Sequence, residues 1–202
     1  MKTVFAAILG GIVVFAWGAV SWMVLHWHDP TLKVFANEEV VAQTLTENAP
    51  VSGIYVLPKP QMPQSITHPA STDAVNAEAE AKMSEGPSAF VALTREGTDP
   101  QMKKEFAYAV ALDIFAALLI ALLVKATELG YLRRVLFIAT VGIVVAVAGR
   151  LPYWVWWHFA TDYMIVDCAD VVVSWLLAGI VMAPLLGQES HRLGSGYRRV
   201  RM

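Results

Sequence analysis

VFAAILGGIVVFAWGAVSWMVL, residues 4–25, contains no charged side chain. A bilayer core of roughly 30 Å needs about 20 consecutive, mostly apolar residues in helical form to cross it, so this run reads as a membrane-spanning helix. Three later runs meet the same criterion. One extends from about Phe106 to Val124 with a single acid, Asp113, inside it. The next follows Arg133-Arg134 and continues from Val135 to about Trp157, interrupted by Arg150 and Pro152. The last covers about Tyr163 to Leu186, with Asp167 and Asp170 near its start and Pro184 near its end. A cleaved signal peptide is the competing reading of the first run. Its apolar length exceeds the ~7–15 residues of a signal core, and only Lys2 precedes it, so retention is expected.

Composition agrees. Of 202 residues, 56% are hydrophobic and 16% charged, with a mean hydropathy of +0.51; soluble domains average nearer ~45–50% and ~25%. The formal net charge of -2 gives no reason to expect nucleic acid as a partner. The single cysteine, Cys168, excludes an intrachain disulfide and a cysteine-based metal site. The expected class is a membrane all-α protein of four transmembrane helices, with a small α+β extracytoplasmic segment between helices 1 and 2. Its parts are helix 1 (1–26), the extracytoplasmic segment (27–105), helices 2–4 (106–187) and a basic tail (188–202).

Orientation follows from charge. Lys and Arg concentrate on short cytoplasmic connectors. A cytoplasmic N-terminus puts Lys2, Lys125, Arg133, Arg134, Arg192, Arg198, Arg199 and Arg201 inside, and the C-terminus with them. The interface-seeking aromatics give the same answer. Trp22 and Trp27 sit at the outer end of helix 1, while Tyr153, Trp154, Trp156, Trp157, Phe159 and Tyr163 crowd the turn between helices 3 and 4.

Within the outer segment, Asn37 followed by Glu38 and Glu39 is a helix start, and Pro50 ends that helix. Gly53–Leu57 and Ala89–Leu93 are short strand candidates that can pair. Lys59–Ser71 reads as a loop or linker and Asp73–Met83 as a helix. About 80 residues with few large apolar groups make a marginal core, so the segment is expected to lean on the membrane, its own helices or a partner.

Ionisable groups inside spans cost about 2.5–3.5 kcal/mol each at mid-bilayer on insertion scales, so they pair or mark function. Counted at 1.5 Å per residue, Asp113 and Arg150 lie roughly 10 Å below the outer boundary, with Asp167 and Asp170 at similar depth. The i,i+3 spacing of the last two puts them on one helix face, and Ser174 continues it. One Arg cannot neutralise three carboxylates. The functional reading is therefore a proton- or cation-responsive site between helices; the plainer one is an Arg150–Asp ion pair that fixes helix register.

His26-Trp27-His28-Asp29, with His158 on the other outer connector, supplies side chains suited to Zn²⁺ or Cu²⁺. On a helix His26 and His28 point to different sides, and no second motif supports a centre, so neither metal nor cofactor is assigned. Ala7, Gly11, Val14, Gly18 and Ser21 form a stripe at alternating steps of four and three. Such small residues let helices approach closely, either on a partner protein or on the chain's own spans. No phosphate loop, nucleophile elbow, zinc-protease helix or nucleic-acid motif is present.

Gly18-Ala19-Val20-Ser21-Trp22, Gly53-x-Tyr55 before Pro58, and the aromatic turn before Asp167–Trp175 resemble small bacterial membrane proteins known mainly as uncharacterised sequences. The resemblance implies the bacterial inner membrane and brings no activity, cofactor or site residue. The leading expectation is a non-enzymatic accessory or assembly protein, embedded in lipid and bound to a larger membrane complex or to itself. The alternative is a small oligomeric transporter or a cation- or proton-responsive channel using Asp113, Arg150, Asp167 and Asp170.

Overall fold

The computed structural model describes residues 1–58 and 80–187. Four helices are long and apolar enough to cross a membrane: α1 (Lys2–Met23), α3 (Lys103–Lys125), α4 (Tyr131–Trp157) and α5 (Thr161–Leu185). Only 22% to 28% of the most apolar window of each is buried within the bundle, so most of that apolar surface needs lipid or another chain to cover it. Several helices run past the apolar stretches into charged residues; α3 starts at Lys103 and α4 at Tyr131, so Arg133 and Arg134 lie in the first turn of α4. Helix continues there because only intrahelical bonding satisfies the backbone as the chain enters lipid.

Between α1 and α3 lie a short helix α2 (Glu38–Asn48) and strands β1 (Gly53–Leu57) and β2 (Ala89–Leu93). The strands pair antiparallel, with Tyr55 opposite Val91 and Val56 opposite Phe90, within the bounds expected from sequence. Asn37 caps α2, its side chain accepting from the Val40 N–H at 3.1 Å. Arg95, just beyond β2, donates to the Thr46 and Ala49 carbonyls, placing a cation at the negative end of α2. Ser52 donates to the Glu96 carboxylate at 2.7 Å and, with the adjacent backbone and Arg95, holds that carboxyl below the usual range. The sheet leans on the helices as expected: Phe90 packs 4.8 Å from Trp157 and 6.2 Å from Phe159, centroid to centroid. The expected linker, most of the expected Asp73–Met83 helix and the basic tail lie outside the described residues; 80–85 are helical.

The spans do not pack in chain order. α1 lies between α3 and α5, and α5 between α1 and α4, while α3 and α4 touch only lightly. Close approach is set by small residues. A Cβ on Gly11 would sit 2.5 Å from the backbone of Ile114 on α3, and one on Gly142 would sit 2.8 Å from Trp175 on α5. Ala7, Ala117, Ala121, Ala178 and Met182 complete a dry core at the end of the bundle away from the sheet. The stripe on α1 thus packs largely inward. Gly18 differs, with nothing within 4 Å of a Cβ placed there.

Two prolines shape the spans. Pro152 has no N–H to give, and the turn before it, Ala146–Arg150, widens to π geometry, with the Leu151 N–H bonding to the Ala146 carbonyl. Pro184 leaves the Ile180 carbonyl without its helical donor; the Tyr131 hydroxyl donates to it at 3.4 Å. Arg134 donates to the nearby Ala183 carbonyl at 3.2 Å, a group in the last turn of α5 that needs an outside donor.

Because overpacking a tight crossing costs about 1–3 kcal/mol, Gly11→Val lowers the thermal midpoint of the detergent-solubilised protein, while Gly18→Val leaves it unchanged. Equal midpoints for the two variants would refute the α1–α3 crossing described here.

Candidate functional site

The site begins with a turn that sequence periodicity does not announce. After α1, His26 adopts left-handed geometry, φ 52°, uncommon for a residue with a side chain. Its ring nitrogen Nδ1 lies 3.1 Å from Asp29 Oδ2. Asp29–Thr31 then forms one 3₁₀ turn containing Pro30, and Thr31 donates its hydroxyl to the His28 carbonyl at 2.7 Å. The reversal lays Trp27 and His28 back against the last turns of α1.

His28 is fully buried. Its ring stacks on Trp22 at 3.9 Å with an interplanar angle of 4°. Nε2 lies 3.0 Å from Ser21 Oγ and 3.4 Å from Asp170 Oδ2 on α5. Ser21 also accepts from the Trp27 indole N–H at 2.7 Å, and the Trp17 indole N–H donates to the other oxygen of Asp170. A carboxylate beside Nε2 favours the tautomer with its proton there. Nδ1 is then a buried lone pair with no partner among the described residues. One carboxylate on α5 is thus held by an indole from α1 and an imidazole from the returning loop.

Asp170 also borders a half-open cavity of about 550 Å³ lined by α1, α3 and α5 towards the sheet-bearing end. Val14, Phe15, Phe106 and Val171 make its walls largely apolar, and Gly18 and Ala109 leave space in them. Among the described residues its ionisable lining groups are Glu105, Asp113 and Asp170, with no Lys, Arg or His. Asp113 makes no hydrogen bond or ion pair with another described residue. Ser174 lines the cavity one turn beyond Asp170 and donates to the Val171 carbonyl at 2.8 Å.

Arg150 is elsewhere. At the end of the π turn its Nε lies 3.5 Å from Asp167 Oδ2, between α4 and α5. Tyr153, Phe159 and Tyr163 surround this pair at a pocket of about 110 Å³. The four charges expected at one shared site therefore separate into two. Residues i and i+3 differ by about 60° around a helix axis, enough for α5, packed between two helices, to turn Asp167 towards α4 and Asp170 towards α1.

The histidines also part company. His26 is exposed at the turn, His28 is buried, and His158 ends α4 in left-handed geometry beside the aromatic connector. Among the described residues, no three His, Cys, Asp or Glu side chains converge in a form that would hold a metal ion. Sequence reasoning did not find Trp17 and Trp27 as hydrogen-bond donors. The signal available was the i,i+4 pairing of Trp17 and Ser21 on one face of α1.

Comparison of the chain with protein-family models, curated proteins and solved structures returned no match.

A hydrogen bond to a charged group contributes about 1.5–3 kcal/mol. A double-mutant cycle of Trp17→Phe and Asp170→Asn, read by unfolding in mixed micelles, is expected to show coupling of that order. Additivity within about 0.5 kcal/mol would mean that the indole and the carboxylate do not interact.

Proposed function

We propose that the protein is a non-enzymatic, cation- or proton-responsive carrier or channel subunit whose working groups are Asp113 and Asp170. The observation that carries this reading is a charge imbalance. Arg150 pairs with Asp167, so among the described residues the wall of the cavity between α1, α3 and α5 carries carboxylates and no basic side chain. A carboxylate in apolar surroundings takes up a proton or keeps a cation beside it.

Beyond the cavity the helices close on Ala117, Ala121, Ala178 and Met182. Passage across the membrane then requires that core to open, or a second copy to complete the path. Exposed apolar side chains such as Leu112, Phe115 and Leu119 on α3 offer a surface for that copy. We place the sheet outside the bacterial inner membrane and both termini in the cytoplasm, on the charge and aromatic asymmetry of the sequence. Docking onto a larger complex through α1, the competing reading, has less support, because Ala7 and Gly11 pack inward and Ser21 bonds to His28 and Trp27.

In liposomes carrying a proton or monovalent-cation gradient, the wild-type protein dissipates the gradient. Asp113→Asn and Asp170→Asn fall to the rate of protein-free liposomes, and Asp167→Asn retains flux. Wild-type flux no greater than the protein-free rate, or flux unaltered in both cavity variants, would overturn the proposal.

A further inference from the structure

We infer that the cavity between α1, α3 and α5 binds an amphiphilic organic cation, an ammonium or comparable onium centre on an apolar body. This deepens the proposed function and rests on it for the role of the same two carboxylates. The size of the space is the first argument. About 550 Å³ falls within the roughly 300–1,000 Å³ typical of small-molecule sites. A bare metal ion would leave most of that volume empty, and a hydrated one would press its water against walls of Val, Phe and Ala.

The walls are the second argument. Four aromatic side chains line the space, and each is held by a contact with a neighbouring side chain. The Trp17 N–H is engaged by Asp170. Trp22 is stacked on the buried His28. Phe15 meets Phe106 edge-on, with centroids 6.0 Å apart. Rings held in this way offer faces to a cation without further ordering, and cation–π attraction is strongest at desolvated sites.

Charge selects among amphiphiles. Glu105 lies in the first turn of α3, Asp113 about two turns further along it, and Asp170 on α5. An anionic lipid headgroup meets like charge at all three. An onium centre meets Asp113 and Asp170 while its apolar body lies against the rings.

Equilibrium dialysis of the full-length protein in neutral detergent micelles, with radiolabelled tetraphenylphosphonium as probe, tests the inference. Saturable binding is expected, not competed by neutral triphenylphosphine oxide. Kd should rise about tenfold or more in Asp113→Asn, as for loss of one partner of a buried charge pair. Gly18→Leu projects into open space, so it should abolish binding while leaving the thermal midpoint in place. Uptake equal to that of empty micelles, affinity unchanged in Gly18→Leu, or a co-purified phospholipid that the probe does not displace would each overturn the inference. Because binding is read without a gradient, it is separable from transport. Binding without flux removes the proposed carrier role alone; proton flux without binding removes the organic ligand alone.

Discussion

Asp170 ties the returning loop and α1 to α5, and the sheet-bearing half of the bundle is organised around that carboxylate. An ionised acid at membrane depth costs about 2.5–3.5 kcal/mol on insertion scales. A hydrogen bond to a charged group returns about 1.5–3 kcal/mol, so one donor offsets much of that penalty and a neighbouring imidazole adds to it. Trp17 supplies that bond to Asp170, and His28 Nε2, which is hydrogen-bonded to Ser21, lies 3.4 Å from the other carboxylate oxygen. Their engagement has a structural consequence. To bring His28 to Asp170 the chain must reverse at the end of α1, and the reversal requires His26 in a backbone region that L-residues disfavour. The stacked Trp22–His28 pair and the Ser21–Trp27 hydrogen bond are further contacts made possible by that turn.

Small residues perform two opposite tasks along α1. Towards the N-terminus, Gly11 and its neighbours remove side-chain bulk so that α1 meets α3 and α5 at backbone distance, which is how helices associate where lipid offers no hydrophobic driving force. Two turns later Gly18 also removes bulk, but nothing approaches to fill the space. One composition therefore yields a dry core at one end of the bundle and an open cavity at the other. The difference lies in the facing residues. Opposite the tight end, alanines and the flexible Met182 interdigitate; the open end is framed by aromatic rings held in contacts of their own.

The spans were legible in sequence because length and hydropathy act locally and need no partner. Gly53–Leu57 and Ala89–Leu93 were legible for a related reason: Pro, Gly and short β-rich runs mark their own ends. What sequence could not supply was rotational phase. Depth along a helix can be counted, and on that count Asp113, Arg150, Asp167 and Asp170 lie together. Which neighbour a residue faces depends on the packing order of the helices, and the light contact between α3 and α4 is not written in any local pattern. The burial of His28 was hidden too. A His-x-His-Asp run at the end of a span reads as an interfacial or metal-binding feature until a left-handed residue folds it inward.

The packing order gives α5 a particular position. Asp167 contacts Arg150 on α4, and Asp170, less than a turn away, contacts Trp17 on α1 and His28 on the loop. Both contacts depend on the rotation of α5 about its axis, around which the two residues differ by about 60°. The Arg150 side is also where the sheet docks, through Phe90 against Trp157 and Phe159. The same helix therefore borders the carboxylate-lined cavity on one side and, on the other, the ion pair at the foot of the extramembrane segment. Charge placed in the cavity acts on Asp170 directly, and rigid helical backbone links it to Asp167 within about 5 Å of axial rise.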